Sequence, residues 1–71
     1  MEKKVVDARG LSCPQPVILA RKAIEYGSFP IEVWVDTVTS RENVRRMAEM
    51  NGCRVEMGEL GEEFHLILLR K

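Results

Sequence analysis

The chain passes from strand to helix within Asp7-Ala8-Arg9-Gly10-Leu11-Ser12-Cys13-Pro14-Gln15-Pro16. A short apolar strand precedes this stretch, and apolar residues at helical spacing follow it. Gly10 allows the chain to turn sharply where a side chain would crowd it. Pro14 suits the first position inside a helix, because its missing N–H would have no partner there. The stretch therefore predicts a strand, a turn and a helix that begins at Pro14.

Cys13 is the candidate reactive group, because this assignment makes it the N-cap of the helix. The free N–H groups and the dipole of a first turn favour an anion, and the thiolate is the reactive form of cysteine. Pro14 and Pro16 lack an N–H, so the Gln15 N–H is the expected partner of the sulfur. The alternative is that Cys13 is only a poor N-cap and a small buried apolar residue. The local pattern does not decide between the two.

The motif Asp7-x-x-Gly10-Leu11-x-Cys13-Pro14-x-Pro16 resembles the signature of the TusA/SirA/YedF family of small sulfur carriers. The resemblance extends over essentially the whole chain. It implies an open two-layer α/β fold and a persulfide formed on Cys13. It also implies that the loop is shaped by five motif residues: Asp7, Gly10, Leu11, Pro14 and Pro16. Arg9 would add positive potential near the sulfur, and Gln15 is a further electrostatic or docking candidate.

One departure concerns the stretch after the second strand. Many members that resemble the tRNA-thiolation carrier have Asp-Asp-Pro-Ala there, whereas this chain has Val35-Asp36-Thr37-Val38-Thr39. The following run, Ser40 to Val44, is more similar to the YedF branch, which is often linked to selenium or sulfur metabolism. The resemblance therefore points away from tRNA thiolation and leaves the cysteine chemistry in place.

Length and charge limit the possible functions. Seventy-one residues predict a single domain, residues 1–71, with one modest core. Eleven basic and eleven acidic residues cancel, which argues against nucleic-acid binding as the main activity. No signal peptide and no apolar run near the ~20 residues of a membrane span is recognisable. We expect a cytoplasmic protein with reduced thiols, no membrane insertion, no cofactor and no metal site.

The remaining pattern predicts the order β-α-β-α-β-β. The predicted elements are Val5–Ala8, Pro14–Tyr26, Ile31–Asp36, Ser40–Asn51, Cys53–Met57 and Phe64–Leu69. Gly27 would end the first helix, and Thr39 with Glu42 would form a capping box for the second. Right-handed crossovers put both helices on one face of a four-stranded mixed sheet. The fold class is an α+β two-layer sandwich whose strand order the sequence does not define.

Several side chains have predicted environments. Ile18 points away from the apolar side of the first helix, either as an ordinary isolated exposed isoleucine or as an apolar docking contact for a partner. Cys53 points into the core, and His65 is a surface residue on the side of Trp34. The open sheet face, which also carries Ile67 and Leu69, is expected to serve self-association as a weak homodimer or partner docking. Basic residues of the second helix, interleaved with Glu42 and Glu49, are expected to form a solvated face rather than an RNA site: Arg41, Arg45 and Arg46.

Two classes of function follow. In the first, a donor such as a cysteine desulfurase or a rhodanese-type enzyme passes sulfane sulfur to Cys13, and a downstream acceptor protein receives it. In the second, the domain is a non-catalytic interaction or redox-regulatory module that docks through the Cys13 loop, Ile18 and the open sheet face. A carrier acts in transfer without being a self-sufficient enzyme.

Overall fold

The computed structural model describes residues 4–11, 14–27 and 29–70. Its elements are β1 (Lys4–Asp7), α1 (Gln15–Tyr26), β2 (Ile31–Val35), α2 (Val38–Met50), β3 (Cys53–Leu60) and β4 (Glu63–Arg70). The predicted fold class is confirmed, because two helices pack against one four-stranded mixed sheet.

The sheet has the order β1-β2-β4-β3, with β1 parallel to β2 and the other pairs antiparallel. Alternate residues of the two central strands point toward the helices and form the core: Ile31, Val33, Val35, Leu66 and Leu68. Ala20 and Ala23 of α1 and Val44 and Ala48 of α2 close this core. Small residues on the helices allow a close approach to the β-branched and leucine side chains of the sheet.

The start of α1 differs from the prediction by one residue. Pro14 is the N-cap rather than the first helical residue, since its carbonyl accepts the N–H of Ile18 at 3.1 Å. The predicted N-cap, Cys13, therefore precedes the cap in the sequence and, with Ser12, lies outside the described residues. The end of α1 is confirmed: Gly27 has φ +75° and its N–H bonds the carbonyls of the last turn.

The start of α2 was also predicted wrongly. Its N-cap is Thr37, whose hydroxyl accepts the N–H of Ser40 at 3.0 Å, and not Thr39. Glu42 consequently lies beyond the capping position and pairs with Arg45 instead. A run of hydroxyl residues offers several possible caps, and the end of β2 at Val35 selects the first of them.

Strand β3 is three residues longer than predicted, because Gly58, Glu59 and Leu60 are paired rather than looped. Gly58 lies opposite His65 on the open face of the sheet, and the imidazole occupies the space that a side chain at Gly58 would fill. The imidazole stacks on Trp34, with ring centroids 5.2 Å apart and planes inclined by 20°. The predicted placement of His65 on the side of Trp34 is confirmed, and the glycine is what allows it, but the imidazole is half-buried rather than a surface side chain.

Gly58→Ala is expected to destabilise the protein by about 1–3 kcal/mol, because the new Cβ would collide with the His65 ring and disturb its stack on Trp34. Urea unfolding measures the loss. His65→Ala supplies the control background, where the same glycine substitution should cost much less. An equal cost in both backgrounds would contradict this explanation.

Candidate functional site

The motif turn, defined here as Ala8–Leu11, leads from β1 toward Cys13. The N–H of Leu11 donates to the carbonyl of Ala8 at 3.4 Å, and Gly10 has φ +77°. A positive φ at the third position is what a type II turn requires, and glycine adopts it without steric cost. The N–H of Gly10 donates to Oδ2 of Asp36 at 2.8 Å. The turn is therefore held both by its own backbone and by a carboxylate that follows β2.

Arg9 clamps the same turn from the open face of the sheet. Its Nε and Nη2 donate to the two carboxylate oxygens of Asp7, each at 2.9 Å, and its Nη1 donates to Glu63 at 3.1 Å. The guanidinium also lies over the ring of Trp34, 5.5 Å from its centroid. The positive charge predicted to act on the sulfur is thus already matched by two carboxylates.

The same contacts lower the pKa of Asp7 from 3.8 to about 2. Hydrogen bonds from the Arg9 side chain are the largest cause, followed by the bond that Asp7 accepts from the Arg9 backbone N–H at 3.2 Å. A pKa below the unfolded value means that the ionised clamp favours the folded state. Its contribution is complete above pH 3.8 and disappears as the pH falls toward 2.

Asp7→Asn is therefore expected to remove a pH-dependent part of the stability. The difference in unfolding free energy between wild type and variant should be largest above pH 3.8 and should shrink as the pH approaches 2. Urea unfolding across this range measures it, with Glu62→Gln as a control carboxylate that has no ion pair among the described residues. A difference that does not change with pH would contradict the clamp.

The N-terminus of α1 carries the proline motif. Pro14 is exposed, whereas the ring of Pro16 is fully buried and anchors the first turn in the core. Neither proline has an N–H, so the first turn retains the N–H groups of Gln15 and Val17, which have no partner four residues earlier in the helix. Sequence analysis expected only the Gln15 N–H, because it placed the cap one residue too early.

An interhelical groove of about 520 Å³ opens beside this N-terminus. The residues that line it are Pro14, Val17, Arg21, Asn43, Arg46, Met47, Met50 and Asn51. Its lining combines apolar side chains, among them Met50, which is 80% exposed, with two arginines, Arg21 and Arg46. Ile18, the predicted docking contact on α1, is 40% exposed, as expected.

The basic side chains of α2 are largely paired. Arg45 bonds Glu42 at 2.8 Å and Glu49 at 2.9 Å, and these contacts hold the pKa of Glu42 below its usual value. Arg41 pairs with Glu42 and lies over the ring of Phe64 at 4.8 Å. Carboxylates thus match Arg41 and Arg45, whose side chains are half-buried, whereas Arg46 is exposed and lines the interhelical groove.

Other classes of site find no support in the part of the chain that the structure describes. No group of three or more His, Cys, Asp or Glu side chains there could hold a metal ion. No helix there is long and apolar enough to cross a bilayer. Cys53 is 2% exposed and lies in the core, as predicted.

The structure brings most of the predicted site residues to one edge of the sheet. Asp7 ends β1, Arg9, Gly10 and Leu11 belong to the motif turn, and Pro14 caps the helix in which Pro16 lies. Sequence reasoning missed Asp36, which it took as the last residue of the second strand, whereas β2 ends at Val35. The available signal was a carboxylate just after β2, which is parallel to β1. The carboxyl ends of parallel neighbouring strands lie at the same edge of a sheet.

Comparison with known proteins gives consistent matches along the chain. The family model described as sulfurtransferase TusA matches residues 4–71. A "Putative sulfur carrier protein" of Methanocaldococcus jannaschii is 36% identical over 70 residues, which cover 96% of this chain and 93% of that protein. The crystal structure of a SirA-like protein from Desulfitobacterium hafniense has a TM-score of 0.84 and 32% identity, covering 99% of this chain and 100% of that one.

Proposed function

From the premise that this chain belongs to the TusA family, whose members and relatives support a sulfur-carrier role, we propose that it carries sulfane sulfur as a persulfide on Cys13. The single observation that carries this proposal is the pair of ordered elements that flank the cysteine in the sequence. A fixed turn ends at Leu11, a proline-capped helix begins at Pro14, and Cys13 lies between them in the sequence.

The proposed transfer needs no outside oxidant. The Cys13 thiolate attacks the terminal sulfur of a donor persulfide, RS–SH, and a new S–S bond forms on Cys13. The S–S bond of the donor breaks, and the donor leaves as the thiolate RS⁻ with the electron pair. The same exchange in reverse, with a thiolate of the acceptor protein as nucleophile, delivers the sulfur and restores the Cys13 thiolate.

The surrounding residues would serve this exchange in two ways. The N–H groups of Gln15 and Val17 and the dipole of α1 would stabilise the Cys13 thiolate and so raise the fraction of reactive form. The loop would be shaped by the five motif residues named above, and Arg9 would stabilise it through Asp7 and Glu63. The chemistry requires a reduced thiol, so we propose a reducing compartment such as the cytoplasm.

Donor and acceptor proteins would dock beside the motif. The interhelical groove is lined by apolar side chains together with Arg21 and Arg46, and this combination suits a partner segment with apolar and acidic side chains. Ile18 would extend this contact along α1. A domain of this size supplies a nucleophile and a docking surface and depends on its partners for the rest of the reaction.

Intact mass spectrometry tests the proposal. The purified protein is incubated with a cysteine desulfurase and cysteine, or with a rhodanese and thiosulfate. We expect a gain of one sulfur atom that dithiothreitol removes. The same assay with selenium in place of sulfur in the donor reaction tests for a selenium-linked role. This alternative is included because Ser40–Val44 is similar to the YedF branch.

A second candidate is a non-catalytic interaction module. The exposed groove and the half-buried residues of the open sheet face, Trp34, Ile67 and Leu69, favour it, and a weak homodimer through that face belongs to the same candidate. No mass gain with either donor, together with a Cys13 thiol that titrates like free cysteine near pH ~8.5, would favour the module over the carrier.

A further inference from the structure

Two carboxylates bind consecutive N–H groups of the motif turn. Asp7 accepts the N–H of Arg9 at 3.2 Å, and Asp36 accepts the N–H of Gly10 at 2.8 Å. The two acids stand at the carboxyl ends of β1 and β2, which are parallel neighbours in register. The turn that leads to Cys13 is thus bracketed from two strands by charge-assisted hydrogen bonds.

The two hydrogen bonds join residues that are separated by different distances along the sequence. Asp7 lies two residues from Arg9, so its bond shapes the turn locally. The Leu11–Ala8 bond is likewise internal to the turn. The bond from Gly10 to Asp36 spans 26 residues and ties the middle of the turn to the segment that joins β2 and α2. Because Gly10 carries no side chain, its N–H is the group through which this part of the backbone can be held.

We propose that Asp36 is a positioning residue for sulfur transfer: it fixes the motif turn through the Gly10 N–H, and so determines where the Cys13 nucleophile stands. The inference rests on the proposed function of Cys13. Asp36 does not touch the reacting atoms in this scheme. It acts through Gly10 and the two residues between Gly10 and the cysteine in the sequence.

Two substitutions separate the hydrogen bond from the charge. Asp36→Asn and Asp36→Ala both remove the negative charge, but asparagine keeps an oxygen that can accept the Gly10 N–H. The difference between the two variants therefore reports the hydrogen bond alone. We expect Asp36→Ala to be loaded by a persulfide donor about tenfold more slowly than Asp36→Asn, and Asp36→Asn to stay close to wild type.

Glu62→Ala is the matched control, since it removes an exposed carboxylate of the neighbouring β3–β4 turn that bonds no other residue within the described ranges. It should load at the wild-type rate. Equal rates for Asp36→Ala and Asp36→Asn, or a wild-type rate for Asp36→Ala, would overturn the proposal. Circular dichroism establishes that the variants are folded, which we expect because the Asp36 side chain is exposed.

Nuclear magnetic resonance supplies a measurement on the wild-type chain that needs no donor. The Gly10 amide proton should shift as the Asp36 carboxylate is titrated, and this shift should be lost in Asp36→Asn. An amide that does not titrate with Asp36 would overturn the proposal even if a variant failed to fold.

Failure of the carrier function can be told apart from failure of this inference. If wild type accepts no sulfur, the proposed function fails, and the positioning role is then judged on the rate of Cys13 alkylation by iodoacetamide as a function of pH. Asp36→Ala should still differ from Asp36→Asn in that profile. Identical profiles would overturn the positioning role.

Discussion

Cys13→Ser is expected to abolish sulfur loading, with the dithiothreitol-sensitive mass gain falling below detection under both donors. A serine hydroxyl is not ionised near neutral pH and cannot hold sulfane sulfur in a stable bond, whereas the thiolate is both nucleophile and carrier. The effect should be all or none, because the proposed carrier has one attachment atom. Intact mass spectrometry of the variant after incubation with donor measures it.

Cys53→Ser is the control for this experiment. Cys53 is 2% exposed in the core, beneath α2, so a donor protein cannot reach its sulfur without unfolding the domain. The variant should load fully, although a hydroxyl in an apolar core lowers its stability by about 1–3 kcal/mol. Loading of Cys13→Ser, or its loss in Cys53→Ser, would move the attachment point away from Cys13.

Leu66→Ala is expected to cost about 2–5 kcal/mol of unfolding free energy, the largest loss among the substitutions considered for stability. Leu66 is fully buried on the central strand β4, between Val33 of β2 and Met57 of β3. Its removal leaves a cavity at the middle of the core that the described residues form, in a chain small enough that total stability stands near the low end of ~5–15 kcal/mol. Urea unfolding measures the change.

Leu60→Ala is the matched control, because Leu60 is 65% exposed at the end of β3. It should change the unfolding free energy by less than about 0.5 kcal/mol. Leu66→Val is the milder substitution that keeps the comparison measurable if Leu66→Ala does not fold. Similar costs at positions 60 and 66 would contradict the assignment of the core.

The fold class could be predicted because its signals are local. Alternation along Ile31–Val35 correctly gave a strand, although Glu32 on its second face is buried as well, and Gly27 correctly marked the end of α1. The length of β3 could not be predicted, since Gly58 resembles a loop residue until His65 is known to lie opposite it. Strand order likewise depends on pairings between distant residues.

The motif of the candidate site could be predicted from the sequence, but the distant residues that hold the motif turn in place could not. The motif residues all lie within one short stretch from Asp7 to Pro16, so their spacing alone indicated a turn and a helix start. Asp36 and Glu63 reach the turn from 26 and 54 residues away in the sequence. Their role follows from the parallel pairing of β1 with β2 and the antiparallel pairing of β2 with β4.

The place of β4 between β2 and β3 affects how the chain can fold during its synthesis. Among the described strands β3 pairs with β4 alone, and Val33 of β2 lacks its cross-strand partner Leu66 until β4 is present. A nascent chain that has emerged from the ribosome only through β3 can pair β1 with β2, but β3 still lacks its partner strand and the sheet is incomplete. Folding is therefore expected to be a single late event after translation of β4, and the earlier segments depend on rapid completion or chaperones to avoid aggregation.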